Sequence, residues 1–120
     1  MSHPLFAQIE REMPGYLSAA IGSLDNSSAM SVHAAGGLSL DEAAAPLVAM
    51  VKAYTDTYEA LGGRIDMGSN DEVLISASKG YLLIKVDHRS RRFIAVLLSS
   101  NGNIGFLRFQ LRTWIRKLSA

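Results

Sequence analysis

Cysteine is absent from the 120-residue chain, which excludes disulfides, thiolate nucleophiles and cysteine-based zinc sites and fits a reducing compartment. The three histidines, His3, His33 and His88, stand far apart, without the helical His-x-x-x-His spacing that puts two imidazoles on one metal. Each reads as a surface histidine. No apolar run approaches the roughly 20 residues needed to span a bilayer. Met1-Ser2-His3-Pro4 has no basic region leading into an apolar stretch, so neither a membrane insertion nor a secretory leader is expected, and the expected location is cytoplasmic. Enzyme signatures are missing as well. There is no phosphate-loop motif and no G-x-S-x-G. The adjacent carboxylates Asp41-Glu42 and Asp71-Glu72 fall at a cap and a turn, where such pairs are usually solvated. The expectation is a non-enzymatic protein without cofactor or metal.

What is present is ordinary globular composition, 48% hydrophobic and 19% charged, in a chain of one domain's length, residues 1–120. The net charge of +1 conceals an asymmetry: Lys79 to Lys117 holds nine basic residues and one acid, Asp87, a balance of +8, whereas the remainder holds three basic residues and ten acids, −7. Such a division points to an electrostatic face directed at an acidic partner or at the acidic half of another copy. A helix bearing basic residues toward its C-terminus, where they suit the dipole, is the plainer account.

Apolar residues at Leu5, Phe6, Ile9 and Met13 have the spacing of one helix face, with Met13-Pro14-Gly15 as the stop. Tyr16–Leu24 and Ala29–Ala34, separated by Asp25-Asn26-Ser27-Ser28, read as a hairpin. After Gly36-Gly37, Ser39-Leu40-Asp41-Glu42 forms a capping box, and the helix it opens runs to Leu61 before Gly62-Gly63, with Pro46 as an internal kink. That helix has a bulky stripe of Leu47, Met50, Val51, Tyr54, Tyr58 and Leu61, suited to a sheet, and a second stripe of Ala45, Ala49, Ala53 and Ala60. The alanines either admit a close neighbour or are simply good exposed helix formers.

Three strand-like runs follow at hairpin spacing, Glu72–Ser78, Tyr81–Asp87 and Arg92–Ser99. In the first, Val73, Ile75 and Ala77 share one face while Leu74 lies among polar residues, the pattern of a half-exposed edge strand. The run from Phe93 to Leu98 is apolar on both faces and belongs in the middle of a sheet covered on both sides. Asn103 then caps a last helix with Ile104, Leu107, Leu111, Trp114, Ile115 and Leu118 as its buried stripe. Arg108, Arg112 and Arg116 recur every four residues on another face, and the neighbouring aromatics (Tyr81, Phe93, Phe106, Phe109) mostly fall at core spacing. The order α-β-β-α-β-β-β-α predicts an α/β (α+β) domain: a five-stranded antiparallel meander sheet with helices on both faces.

Asn101-Gly102-Asn103-Ile104-Gly105 places glycines before a helix, where exposed N–H groups can hold an anion, but it lacks the full dinucleotide fingerprint. Lys85, Arg89, Arg91 and Arg92, with the arginine stripe and Lys117, could meet nucleic-acid phosphates. Against this stand a pI of only about 8.1 and no nucleic-acid fold signature.

The element order, together with Phe93-Ile94-Ala95-Val96-Leu97-Leu98 and Asn103-Ile104-Gly105-Phe106-Leu107-Arg108-Phe109-Gln110-Leu111-Arg112, resembles the Roadblock/dynein light-chain family, in which an apolar strand passes through an Asn-Leu-Gly-type start into an arginine-bearing amphipathic helix. The first hairpin departs from the pattern, because its turn has no glycine. Asn26 adopts a left-handed conformation readily enough to replace one. The resemblance implies a homodimer in which an edge strand pairs across a two-fold axis and the long helices lie side by side. Its interface would include Ala45, Ala49, Ala53, Ala60, Val73, Ile75 and Ala77, with Arg108, Arg112 and Arg116 as candidates for binding a partner. It further implies a scaffold of the bacterial type that binds and regulates a Ras-like small GTPase. The alternatives from other classes are a nucleic-acid binder using the basic C-terminal face and a small-molecule sensor.

Overall fold

The apolar spacing from Leu5 onward becomes helix α1 (Leu5–Glu12), which buries Leu5, Phe6 and Ile9. The computed structural model describes residues 4–23, 31–35, 71–87 and 89–119, together with the helical residues 49, 52, 53, 56, 57 and 60. Gly15, at φ +84°, turns the chain out of α1; a Cβ there would lie 2.8 Å from Ser99 Oγ, so the turn needs glycine for its backbone and for its space. The strands are β1 (Tyr16–Ser23), β2 (Ser31–Ala34), β3 (Asp71–Ala77), β4 (Gly80–Asp87) and β5 (Arg92–Ser99), and the chain continues into helix α2 (Ile104–Ser119).

All five strands join one antiparallel sheet in the order β2-β1-β5-β4-β3. The meander is thus made in two parts, β1–β2 and β3–β4–β5, joined by pairing between β1 and β5. The doubly apolar β5 is the central strand, and β3, like the short β2, lies at an edge. Alternation along the strands sorts the core into two layers. Ile94, Val96, Leu98, Leu83, Ala19 and Ile21 face α1 and α2, where they meet Phe6, Ile9, Leu107, Leu111 and Trp114. Phe93, Ala95, Leu82, Ile84, Val86 and Ala20 form the opposite layer, with Val73, Ile75 and Leu97 partly buried against it.

The turns follow their side chains. Asp87 accepts from the Arg89 backbone N–H and from Ser90 Oγ, both at 3.0 Å, and Arg91 adopts φ +55° before β5 begins. Asn103 Oδ1 accepts the Phe106 N–H at 3.0 Å, the cap expected of it. The hairpin turn at 25–28, the capping box at 39–42, Pro46 and the bulky helical stripe all lie outside the described residues.

Candidate functional site

Between β2 and β3, Ala49, Lys52, Ala53, Asp56, Thr57 and Ala60 are helical and exposed. Their spacing of three and four residues puts them on one helix face. Ala45 lies outside the described residues. On β3, Val73, Leu74 and Ile75 are all half-buried, Val73 and Ile75 against one core layer and Leu74 against the other. The side chain of Ala77 lies outside the description. Among the described residues the outer backbone edge of β3 pairs with no strand. Unpaired edges of this kind template pairing with another chain unless they are covered.

The arginine stripe divides. Arg108 forms an ion pair with Glu72 of β3, so it ties α2 to the edge strand. Arg112 and Arg116, one turn and two turns further on, are exposed and form no ion pair or hydrogen bond with a described residue. With Lys85 and Ile115 they line an open cleft of about 340 Å³ between α2 and β4. Lys85 is only 8% exposed. It stands between Ile84 and Val86, which face the opposite layer, and its aliphatic stem runs beneath α2 toward the cleft. A fourth cation of this region, Arg92, is engaged elsewhere: its Nη1 donates to the carbonyl of Leu118 at 3.3 Å, at the negative end of α2.

Two of the aromatics expected at core spacing are not core. Phe93 and Trp114 are buried, but Phe106 is 38% and Phe109 65% exposed. The physical reason is angular. The buried stripe centres on Leu107, Leu111, Trp114 and Leu118, and residues 106 and 109 fall on the far side of the same helix. Helical angles alone carried this signal, and apolar character obscured it.

His33 also departs from its surface reading. It is half-buried on β2 and stacks between Phe6 (centroids 5.5 Å apart) and Tyr16 (5.7 Å), and its Nδ1 lies 2.7 Å from the Tyr16 hydroxyl. Burial, with the Glu10 carboxylate adding to it, raises the Tyr16 phenol well above its ordinary range. His3 and His88 lie outside the described residues. Among the described residues no group of three or more histidines, aspartates or glutamates is placed to hold a metal ion, and no helix is long and apolar enough to cross a membrane. In the glycine-rich turn before α2, the Gly102 N–H donates to the Ser99 carbonyl at 2.9 Å and the Phe106 N–H to Asn103. Donors that an anion would use are therefore already engaged.

The described side chains bring together features suited to recognition. An unpaired strand edge, an exposed alanine-bearing helix face and a cationic cleft beside two exposed phenylalanines are all contact features.

No protein-family model matches the sequence, and no curated protein matches it. Solved structures do. The Roadblock/LC7 domain from Streptomyces avermitilis superposes with a TM-score of 0.77 at 19% identity, over 99% of this chain and 96% of that one. MglC from Myxococcus xanthus superposes with a TM-score of 0.59, also at 19% identity, over 92% of this chain and 90% of that one. With its sheet order, its helices and this whole-length superposition, the chain has the Roadblock/LC7 fold.

Proposed function

We propose that this protein is a non-enzymatic, homodimeric scaffold that binds a Ras-like small GTPase and regulates it. The observation that carries the reading is the superposition on a Roadblock/LC7 domain along nearly the whole of both chains, supported by the likeness to MglC. In this reading the β3 edge pairs across a two-fold axis with a second copy, which covers its unpaired backbone groups. Ala49, Ala53 and Ala60 let the two helical faces approach closely, with Ala45 and Ala77 extending the same interface, and Val73 and Ile75 flank the paired edge. Any change in GTP hydrolysis comes from repositioning the GTPase's own groups. An arginine supplied from Arg112 or Arg116 is a weaker account, because arginines on a helix surface are usually solvated.

Light scattering on the purified chain at micromolar concentration tests the dimer, with an expected mass of twice the 13.0 kDa of one chain. A monomer overturns that part. The immobilised protein is also expected to recover a small GTPase from lysate in a nucleotide-dependent manner. Repeated failure to recover one, with GTP analogue and with GDP, overturns the partner.

A further inference from the structure

The cationic cleft and the exposed phenylalanines occupy one helix, and the dimer reading uses neither. Phe106, Phe109 and Arg116 point to the exposed side of α2, and Arg112 stands one turn beyond Phe109 on the flank facing β4. Aromatic residues with arginine are the combination that dominates binding energy at protein interfaces, when an apolar anchor sits beside charges that a partner neutralises. The cleft carries three cations, and two of them, Arg112 and Arg116, have no acid among the described residues to answer them. Spaced at i, i+4, these two also repel one another until an anion enters.

The size of the positive strip says what kind of anion fits. At one end it is bounded by Glu72, which pairs directly across from Lys85 and binds Arg108. At the other end it meets the C-terminus of α2, where Arg92 is already engaged by the Leu118 carbonyl at the negative end of the helix dipole. A nucleic acid needs cations repeated along a track to follow its phosphates, and this strip is closed at both ends within a few helical turns. A free anion would fill the cleft and leave Phe106 and Phe109 in water. A short protein segment with one or two carboxylates beside an apolar side chain answers both features together.

We infer that the outer face of α2 is a docking surface for an acidic protein segment, whose carboxylates enter the Lys85/Arg112/Arg116 cleft while a neighbouring apolar side chain packs on Phe109. Arg108 is already paired with Glu72 and takes no part in the contact. The surface stands whether or not the protein that presents the segment is a GTPase, and whether or not the chain dimerises.

The experiment uses the full chain and a fluorescein-labelled peptide of repeating Asp-Glu-Leu, followed by anisotropy at low and at physiological salt. Saturable, salt-sensitive binding is expected. The double substitution Arg112→Gln/Arg116→Gln should weaken it about tenfold or more, and Phe109→Ala about fivefold. Arg89→Gln, an exposed cation outside the cleft, should leave it unchanged. All four positions are exposed, and unchanged Trp114 fluorescence verifies that each variant is folded. Binding that is insensitive to both the arginine and the phenylalanine variants overturns the proposal. So does binding that needs the arginines but ignores Phe109, which is the signature of a plain anion site. Stronger competition by polyuridylate RNA than by unlabelled peptide overturns it in favour of nucleic acid.

Discussion

Tyr16 shows how a single residue couples packing to protonation. Its ring stacks on His33, its hydroxyl lies 2.7 Å from His33 Nδ1, and burial keeps the phenol protonated beyond its usual range. A phenol pKa raised in the folded state means that the folded protein holds this proton more tightly than the unfolded chain does. The resulting stabilisation is complete below the unfolded value near 10.0 and is lost as pH rises above it. Denaturant midpoints are therefore expected to fall above pH 10, and Tyr16→Phe should remove that slope while costing about 1 kcal/mol at neutral pH for the lost hydrogen bond. A wild-type midpoint that stays flat through this range would contradict the account. Ser18 offers the converse case. Its buried hydroxyl has no hydrogen-bond partner among the described residues, so Ser18→Ala should leave stability unchanged or raise it by up to about 1 kcal/mol in urea unfolding. Neither consequence could be read from the chain, because both depend on what a tyrosine and a serine meet after β1 has been placed between β2 and β5.

Among the elements, α2 was the most legible. Its start at Asn103, its buried stripe and its three arginines are all periodic features of a local segment, and periodicity survives without tertiary information. What it could not reveal is that three equivalent-looking arginines have different partners. Arg108 reaches Glu72, which is distant in sequence, because β3 runs beside β4 under the first turns of the helix. The pair is part-exposed, so it should contribute little: a double-mutant cycle with Arg108→Ala and Glu72→Ala is expected to give a coupling below about 1 kcal/mol, weakening with salt. A much larger coupling would mean that the pair is essential to seating α2. The edge position of β3 agrees with its half-apolar pattern, Val73, Leu74 and Ile75 among polar neighbours, although alternation by itself reports a covered face and the open ladder is set by the strand order. The apolar character of Phe106 and Phe109 pointed the other way, toward the core, and only their angle on the helix corrects it.

For the molecule as a whole, the charge asymmetry resolves into separate roles. Of the basic residues between Lys79 and Lys117, Arg92 closes the C-terminal end of α2, Arg108 bridges to β3, and Arg112 and Arg116 line the cleft with no ion pair among the described residues. The exposed alanines belong to the proposed self-association. On that proposal Ala53→Arg should shift the light-scattering mass toward that of the single 13.0 kDa chain. It should do so without unfolding it, because Ala53 is helical and exposed. A variant that keeps the wild-type mass would move the interface elsewhere.

By itself the sequence determined the described strands and terminal helices, their order, the central place of β5 and the lack of recognisable catalytic motifs, because these follow from local propensity, alternation and the residue types available. Tertiary structure alone decided the strand order β2-β1-β5-β4-β3, the pairing of Arg108 with Glu72, the stacking of His33 between two rings and the meeting of Lys85 with two arginines in one cleft. Each of these joins residues separated along the chain. Local patterning sets which face a residue occupies, and only the closing of the sheet and the seating of α2 on it set which residue lies opposite.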